Sequence, residues 1–370
     1  MASFQRRGKT WQYTISHKPK PIRKGGFRTK KEAQAAAHEV ESQLRSGISV
    51  HAIEDISFAQ YFNDWVSVYK SHTRKNTYER YQTSCRTIKK HFGSKPIQKI
   101  TKVEYQKFLN KYAKGDEQER SKATVRKINT HIRACVKDAI DEGIIKIDFT
   151  RSAVLGGKKE KRGDEKHLHY DDSKRLATEI IKRLDKSISY YIMLIALVSG
   201  CRYAEIVGLT RKDFDFEKGT ISINKTWGYK KEMHEGFGPT KNEQSVRTIA
   251  IDGNTMKIFK GLFENIPENI HKLVFYSRSS QYKVVANNTV NKTLRALLEE
   301  LSIPNISVHG LRHTHASVLL YSGVSIYFVS ERLGHGDLET TMNTYAHLVK
   351  ELRQKDEEKT TEVFSEWVAS

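Results

Sequence analysis

The longest continuous apolar run in the chain, residues 190–198, places the strongest constraint on its fold. A helix without a polar face has to be covered by protein on every side. A membrane span needs about 18 or more apolar residues, so this shorter run predicts a buried helix inside a globular domain. The basic N-terminus is not followed by an apolar segment, and we therefore expect neither a membrane anchor nor a signal peptide.

The residues around this helix mix helical and strand-like patterns, which predicts a mixed, mainly α-helical domain over 167–370 with a small antiparallel sheet. The strand-like runs are 220–225, 246–251 and 273–276. The predicted helices are 172–184, 291–301, 311–322 and 326–333.

Residues 56–153 carry the apolar stripes of amphipathic helices. Phe58, Phe62 and Trp65 share one helical face behind a capping Ser57. Similar stripes at 78–92 and 125–140 predict an all-α bundle of four or five helices with basic outer faces. The stretch 156–166 contains no apolar residue and predicts a surface linker to the next domain.

Residues 1–50 predict a small module of two strands, 11–16 and 21–27, with a turn at Gly25-Gly26 and a helix from about Thr29 to Gly47. Every Lys, Arg, Asp or Glu in 1–31 is a Lys or Arg, with aromatic residues among them, as expected of a surface that follows phosphates. The candidate DNA-binding residues of this module and of the helical bundle are Arg6, Arg7, Lys24, Arg28, Lys30, Arg74, Lys75, Arg86, Lys122 and Arg126.

The whole chain is basic, with 64 Lys and Arg against 43 Asp and Glu, a net charge of +21. This charge and its N-terminal concentration favour nucleic acid over a membrane surface or an acidic protein as the partner. Three widely separated cysteines form neither a disulfide framework nor a thiolate metal site. The fold class predicted is multidomain α+β.

Polar residues that packing does not explain follow in order through the C-terminal half. Arg202 comes directly after the buried helix with Glu205 three residues on, and alone this pair is typical of an ordinary helix ion pair. Lys241 lies in a turn-rich stretch, where a lysine is by default a solvated charge. His309 and Arg312 share one helical face and could offer two donors to a single phosphate.

The remaining residues of the series are His335, after Gly334, and Tyr345, ten residues further on. A metal site made by His309, His313 and His315 is the weaker alternative, because no acidic or cysteine ligand accompanies them locally. We therefore predict no metal site and no cofactor.

The order Arg, Lys, His-x-x-Arg, Gly-His, Tyr resembles that of the tyrosine recombinases, specifically the three-domain integrases of phages and integrative elements. The matching stretches are 199–206, Thr240-Lys241, 309–314 and 333–345, and residues 26–33 resemble an arm-binding module. The resemblance implies an arm-type DNA-binding module at 1–50, a SAM-like core-binding domain at 56–153 and a catalytic domain at 167–370.

The resemblance also implies roles for the conserved residue types. Tyr345 is the nucleophile that forms a 3′-phosphotyrosyl bond, and Arg202 and Arg312 bind the non-bridging oxygens of the phosphate. Lys241 protonates the leaving 5′ oxygen, His309 manages the tyrosine proton and His335 bonds the phosphate. Glu205 orients its neighbours. Neither ATP nor a metal is needed, because the phosphotyrosyl bond keeps the energy of the phosphodiester.

The expected activity is site-specific recombination that integrates or excises a mobile element in the bacterial cytoplasm, at the nucleoid. Alternatives are a type IB topoisomerase-like enzyme and a non-catalytic DNA-binding regulator. The expected partners are double-stranded attachment-site DNA, further copies of the chain in a tetramer on DNA, and an accessory DNA-bending or directionality protein. The tail at 348–367 is expected to dock on its own domain or, as the family analogy suggests, on a neighbouring protomer.

Overall fold

The computed structural model describes residues 2–18, 20–45, 55–159 and 167–345, together with 357, 360–363 and 365. The chain divides into two compact units, Met1–Glu160 and Lys161–Ser370. Both helices and small antiparallel sheets are present, so the predicted α+β class is confirmed.

The first unit opens with an antiparallel sheet of β1 (Ala2–Arg7), β2 (Thr10–Ile15) and β3 (Ile22–Phe27), followed by α1 (Lys30–Arg45). The helix covers one face of the sheet, where Tyr13, Ile15, Ala37 and Val40 form a small core. The two predicted strands correspond to β2 and β3, and the predicted helix corresponds to α1, so these three predictions are confirmed.

Two features of this sheet differ from the prediction. Strand β1 was not predicted, because its residues are mostly polar and only Ala2 and Phe4 are partly buried. Gly25 and Gly26 do not form a turn but lie within β3. Gly26 has φ +93°, and the pairing of β2 with β3 shifts register between Trp11 and Tyr13, so the glycines serve an irregularity inside the strand.

Four α-helices follow in the described part of the first unit, which is the lower of the two numbers predicted. They are α2 (Phe58–Tyr69), α3 (Lys75–Phe92), α4 (Lys102–Lys114) and α5 (Lys122–Asp141). The side chain of Ser57 accepts a hydrogen bond from the Gln60 amide, and Gly93 ends α3, as predicted. The apolar stripes meet in one core around Phe58, Phe62 and Ile132.

The predicted linker begins later than residue 156. The Lys158 amide donates to the carbonyl of Arg120 at 2.9 Å, and the Lys158 carbonyl accepts from the Lys122 amide at 3.0 Å. These bonds attach 156–158 to the helical bundle. The rest of the predicted linker, from residue 160, lies outside the described residues.

The second unit is built around α7 (Ile188–Ser199), the helix predicted from the apolar run, and its core surrounds that helix. The other helices are α6 (Tyr170–Lys182), α8 (Tyr203–Ile206), α9 (Gly253–Asn265), α10 (Asn287–Glu300), α11 (Val308–Tyr321) and α12 (Ile326–Leu333). Residues 338–345 are also helical and carry Tyr345 near their end.

An antiparallel sheet of β4 (Phe214–Asp215), β5 (Thr220–Ile223) and β8 (Arg247–Ala250) lies in the same unit, in that order. A two-residue hairpin, β6 (Thr226–Trp227) and β7 (Phe237–Gly238), interrupts the connection from β5 to β8. The chain that carries Lys241 therefore leaves a hairpin and enters the edge strand β8.

The prediction of a strand at 273–276 is wrong. Leu273 and Tyr276 make only isolated bridges, to Thr210 and Val284, and the run Leu273, Val274 and Phe275 is buried in the core. A buried apolar run has the same local pattern whether it pairs in a sheet or only packs. Most of the tail at 348–367 lies outside the described residues, so its docking stays a prediction.

Candidate active site

Arg202 is positioned by the sharp end of α7. Gly200 caps this helix with φ +66°, and a Cβ at this position would lie 2.6 Å from Cδ2 of His315 and 2.8 Å from Cδ2 of Leu333. Only glycine fits both the backbone and the space. The turn places Arg202 at the N-terminus of α8, against α11 and the end of α12.

The guanidinium of Arg202 is held by three groups from separate segments. Nη1 donates to Oε1 of Glu205 at 2.7 Å and to Oγ of Ser245 at 3.1 Å, and Nη2 donates to the Gly334 carbonyl at 2.9 Å. The side chain keeps 22% of its exposure. It is therefore oriented from one side by the protein and open to a ligand on the other.

Glu205 is almost fully buried between two arginines. Its Oε2 accepts from the Arg202 amide at 2.9 Å and from Nη2 of Arg247 at 3.1 Å. Burial acts to raise the pKa of Glu205, but the charges of Arg247 and Arg202 outweigh it and hold this pKa below its ordinary value. The pair is thus part of a buried network and not the exposed helix pair considered as the simpler alternative.

Helix α11 carries His309 and Arg312 and is capped by Ser307, whose hydroxyl accepts from the Gly310 amide. Arg312 is 3% exposed and its Nη1 donates to the Gly200 carbonyl at 2.6 Å. Burial, and then the like charge of Arg202, lower the pKa of Arg312 to about 10. The two arginines are thus neighbours, although 110 residues separate them in the chain.

His309 is an exposed residue at the start of α11, although protein lies close to its ring. The resulting loss of solvation, and then the charges of Arg312 and Arg202, lower the pKa of His309. The ring stands edge-on to His313, with centroids 4.9 Å apart. A neutral imidazole at this position can accept a proton at neutral pH.

His335 and Tyr345 lie on the other side of the arginine pair. Nδ1 of His335 is 2.7 Å from Oγ1 of Thr341, and burial followed by the charges of Arg312 and Arg202 lowers the pKa of His335 to about 4. Tyr345 is 2% exposed and packs in a cluster with Ala316, Leu320, Val329 and Leu333.

The Tyr345 hydroxyl lies 3.0 Å from Nδ1 of His313, not against His309. Burial raises the pKa of Tyr345, and the charge of Arg312 opposes that rise. Tyr345 also packs in one cluster with Leu333, which precedes the glycine whose carbonyl accepts from Arg202. A phenol of raised pKa needs a base and a nearby cation to become a nucleophile.

Lys241 is exposed at the rim of this cluster. Its neighbour Asn242 accepts a short hydrogen bond from Ser245, the residue that also meets Arg202. Another lysine of this connection, Lys225, forms an ion pair with Asp213, at 2.5 and 2.6 Å. The structure thus brings Arg202, Arg312, His309, His335 and Tyr345 together and leaves Lys241 at their edge.

The histidine metal site considered as an alternative does not form. Nδ1 of His315 faces the Leu197 carbonyl at 2.8 Å, and Nε2 accepts from Nε of Arg332 at 3.0 Å. With both ring nitrogens engaged, His315 has none left for a metal. Among the described residues no cluster of three or more potential metal ligands occurs.

Three contributors were missed from the sequence: Ser245, Arg247 and His313. Arg247 carried a usable signal, because it precedes the buried Ile249 and Ile251 at the spacing of one strand face. An arginine on a buried strand face needs a buried partner. Ser245 and His313 carried no comparable signal.

The candidate DNA-binding residues are exposed in the first unit. Strand pairing puts Arg6 opposite Trp11 and Lys24 opposite Tyr13, on the sheet face that α1 covers. Arg7 lies on the open face. In the helical bundle, Arg74 and Lys75 stand at the start of α3 and Arg86 lies further along it, while Lys122 and Arg126 lie in the first turns of α5.

The open face of the sheet is wholly polar. The paired residues on it are Ser3 with Thr14, Gln5 with Gln12, Arg7 with Thr10, and Thr14 with Arg23. Arg23 was omitted from the predicted set although the pattern of β3 gives it the same orientation as Arg7. Oε1 of Gln5 accepts from Nε2 of Gln12 at 3.3 Å, which ties the two outer side chains of adjacent strands.

The family model described as the phage integrase family matches residues 166–351, about half of the chain. The chain belongs to the phage integrase family. The integrase is thus a tyrosine recombinase, as its motifs predicted. Further models match 57–113, as the N-terminal SAM-like domain of phage integrases, and 3–44, as an arm DNA-binding domain.

Relatives that align over nearly the whole chain include a bacterial recombinase and a further integrase. A tyrosine recombinase XerC-like protein of Caldanaerobacter subterraneus is 25% identical, with 93% of both chains covered. The ICEBs1 integrase of Bacillus subtilis is 24% identical, with 91% of this chain and 93% of the relative covered.

Solved structures share the fold of the integrase. A fragment of the Tn1549 transposon integrase in complex with circular intermediate DNA superposes with a TM-score of 0.68 at 20% identity, over 82% of this chain and 99% of that one. The lambda integrase tetramer bound to a Holliday junction gives 0.58 at 16% identity, over 88% and 93%. No helix in the described residues is long and apolar enough to cross a membrane.

Proposed function

We propose that this recombinase cuts one DNA strand through attack of Tyr345 on a backbone phosphate and rejoins it to a different strand. The observation that supports this most directly is the convergence of three separate segments. Arg202 donates to the Gly334 carbonyl and Arg312 donates to the Gly200 carbonyl. Tyr345 packs in one cluster with Leu333, the neighbour of Gly334. Two permanent cations beside one buried phenol suit a reaction that adds negative charge to a phosphate.

In the first step the Tyr345 oxygen forms a bond to phosphorus while the bond to the 5′ oxygen breaks. The Tyr345 hydroxyl, which lies against His313 in the free protein, has to move onto the phosphate when DNA binds. Its proton then goes to His309, whose lowered pKa leaves its ring neutral and able to accept it. The electron pair of the broken bond stays on the 5′ oxygen, which takes a proton from Lys241. Arg202, Arg312 and His335 bind the non-bridging oxygens, and Glu205 orients Arg202.

The second step is the reverse reaction with another strand. A free 5′ hydroxyl attacks the 3′-phosphotyrosyl bond, and the electron pair returns to the Tyr345 oxygen. The number of phosphodiester bonds is unchanged at the end, so the chemistry requires no nucleotide hydrolysis.

We infer that the chain has three functional parts: an arm-type DNA-binding module at 1–50, a core-binding domain at 56–153 and a catalytic domain at 167–370. The exposed cations of the first two parts and the polar open face of the first sheet suit contact with DNA phosphates and base edges. The named relatives include integrases of a transposon, an integrative element and phages, which supports integration and excision of a mobile element.

The proposal extends to the assembly, the partners and the location of the chain. A lambda integrase neighbour is a tetramer on a Holliday junction, and we propose a tetramer of this chain on its double-stranded attachment sites. We also propose an accessory DNA-bending or directionality protein and a place of action at the bacterial nucleoid.

The test is covalent trapping on a nicked duplex that loses its short 5′-hydroxyl strand after cleavage. The wild-type chain should become linked to the 3′ end of the DNA, whereas Tyr345→Phe should bind the same DNA without linkage, because a phenyl ring has no nucleophile. Tyr327→Phe is the matched control, since Tyr327 is 71% exposed on α12. Trapping of Tyr345→Phe at the wild-type rate would exclude Tyr345 as the nucleophile.

A further inference from the structure

Arg247, the first residue of β8, lies at the junction of the three segments that carry Arg202, Lys241 and His335. Its Nε donates to the Arg332 carbonyl at 2.7 Å and its Nη1 to the Ser245 carbonyl at 2.7 Å. Its Nη2 donates to Oε2 of Glu205 at 3.1 Å and lies 3.5 Å from Sγ of Cys201. One side chain therefore joins three stretches of chain: 201–205, 245–247 and the end of α12 at Arg332.

The segment before His335 packs closely against Arg247 and Ser245. A Cβ on Gly334, which has φ +66°, would lie 3.0 Å from Nη1 of Arg247 and 2.9 Å from Cα of Ser245. Only a glycine lets the chain before His335 come this close. The Gly334 carbonyl is in turn the acceptor for Nη2 of Arg202.

We propose that Arg247 is a positioning residue of the recombination reaction: it holds the Glu205 carboxylate, and through it the Arg202 guanidinium, in the orientation that binds the phosphate. The side chain of Arg247 is 7% exposed, so its charge is directed to Glu205 and not to DNA. Glu205 uses one oxygen for each guanidinium, and Oε2 also accepts from the Arg202 amide. Loss of Arg247 therefore removes one of the two hydrogen bonds that orient Oε2 and loosens the carboxylate. This inference rests on the proposed function of Arg202.

The first experiment is a double-mutant cycle. Arg247→Met should slow single-turnover cleavage of the nicked duplex by about 100-fold, since a displacement of about 1 Å at a reacting centre has that effect. DNA affinity should stay within about threefold. Because Arg247 acts through Glu205, the double variant Arg247→Met/Glu205→Gln should be no slower than the slower single variant. Multiplication of the two losses would overturn the proposal.

The second readout separates positioning from a merely structural role. A methylphosphonate at the scissile position removes the negative charge that Arg202 has to bind. On this substrate the defects of Arg202→Ala and Arg247→Met should both shrink at least tenfold, because both act on that charge. An Arg247→Met defect that is equally large on phosphate and methylphosphonate would show that the residue only maintains the fold.

Folding and function are controlled separately. Arg247→Met removes one of the two cations that stabilise the buried Glu205 carboxylate and leaves Arg202 as its partner. The double variant, which removes the carboxylate charge, keeps the proposal testable if the single variant unfolds. Arg183→Met is the matched control, because Arg183 also joins two carboxylates, Glu179 and Glu300, outside the candidate site; it should cleave at the wild-type rate. Wild-type trapping that persists in Tyr345→Phe would refute the proposed function itself, whatever Arg247 does.

Discussion

His315 shows how a histidine next to the reaction centre can be structural. Its Nε2 accepts from Arg332, which leaves the proton on Nδ1, where it is donated to the Leu197 carbonyl. Burial, and then the charge of Arg332, lower the pKa of His315 to about 3 from the ordinary 6.5. The ring is therefore neutral throughout the physiological range and fixes α11 to the end of α7.

This pKa predicts a pH dependence of stability. Between pH 6.5 and about 3 the unfolded chain binds a proton that the folded chain does not, so the unfolding free energy falls as pH is lowered. The slope contributed by one such group is about 1.4 kcal/mol per pH unit. His315→Gln, which can keep both hydrogen bonds, should show a flatter dependence in chemical denaturation at pH 7, 6 and 5.

The matched control is His169→Gln, a change at an exposed histidine of the same unit. It should follow the wild-type curve, and His335, whose pKa is about 4, should keep a residual slope in both variants. Equal slopes for wild type and His315→Gln would contradict the assignment.

At the scale of the element, the connection from β5 to β8 carries two lysines with different environments: Lys225 is paired with Asp213, and Lys241 is exposed beside the candidate site. Lys225→Met should lower the unfolding free energy by about 2 kcal/mol, since Asp213 loses its cation but the Lys225 side chain is 25% exposed and water can partly replace it. Cleavage at a permissive temperature should stay near the wild-type rate. Lys241→Met should do the opposite: stability stays constant and cleavage slows.

A 5′-bridging sulfur at the scissile position tests what Lys241 does. A thiolate leaves without prior protonation, so this substrate should restore cleavage by Lys241→Met to within about tenfold of wild type. A defect that persists on the sulfur substrate would assign Lys241 to phosphate binding instead.

Two adjacent residues of β3 test which face of the first sheet contacts DNA. Arg23 faces outward with Arg7, whereas Lys24 pairs with Tyr13 on the face that α1 covers. Arg23→Ala should weaken arm-site DNA binding and lower the slope of affinity against salt by about one unit, the effect of one lost phosphate contact. Lys24→Ala should change the slope less, and a larger change for Lys24→Ala in filter-binding titrations would reverse the assignment of faces.

The elements differ in how far the sequence predicted them. Helices with long apolar stripes, such as α5 and α12, were predicted closely because each stripe packs on one core. The same local pattern misled at 273–276, where burial without pairing resembles a strand. Residues of the site were predictable where the motif itself is local, as in His309 and Arg312. His313 was not predictable, because its partner Tyr345 lies 32 residues away. For Arg247 the strand pattern indicates a buried partner but does not identify it as Glu205, 42 residues away.

For the whole molecule, the tail offers the clearest test of assembly. Ending the chain after Lys350 should leave DNA binding by a single protomer intact and abolish the tetramer on DNA, if the tail docks on a neighbour as the family suggests. Mass photometry on a synapsed substrate would measure this. A variant with 351–370 replaced by a flexible Gly/Ser segment of equal length controls for chain length, and unchanged assembly of the truncated chain would contradict docking on a neighbour.

The tight approach of Gly200 to His315 has a consequence for energetics. It holds the loop of Arg202 against the helix of Arg312, so two like charges are kept side by side before any DNA arrives. Burial, and then the repulsion from Arg202, lower the pKa of Arg312. A bound backbone phosphate neutralises that repulsion. The folded catalytic unit should therefore have a higher Tm on its DNA than alone, because DNA binding and folding stability are thermodynamically coupled.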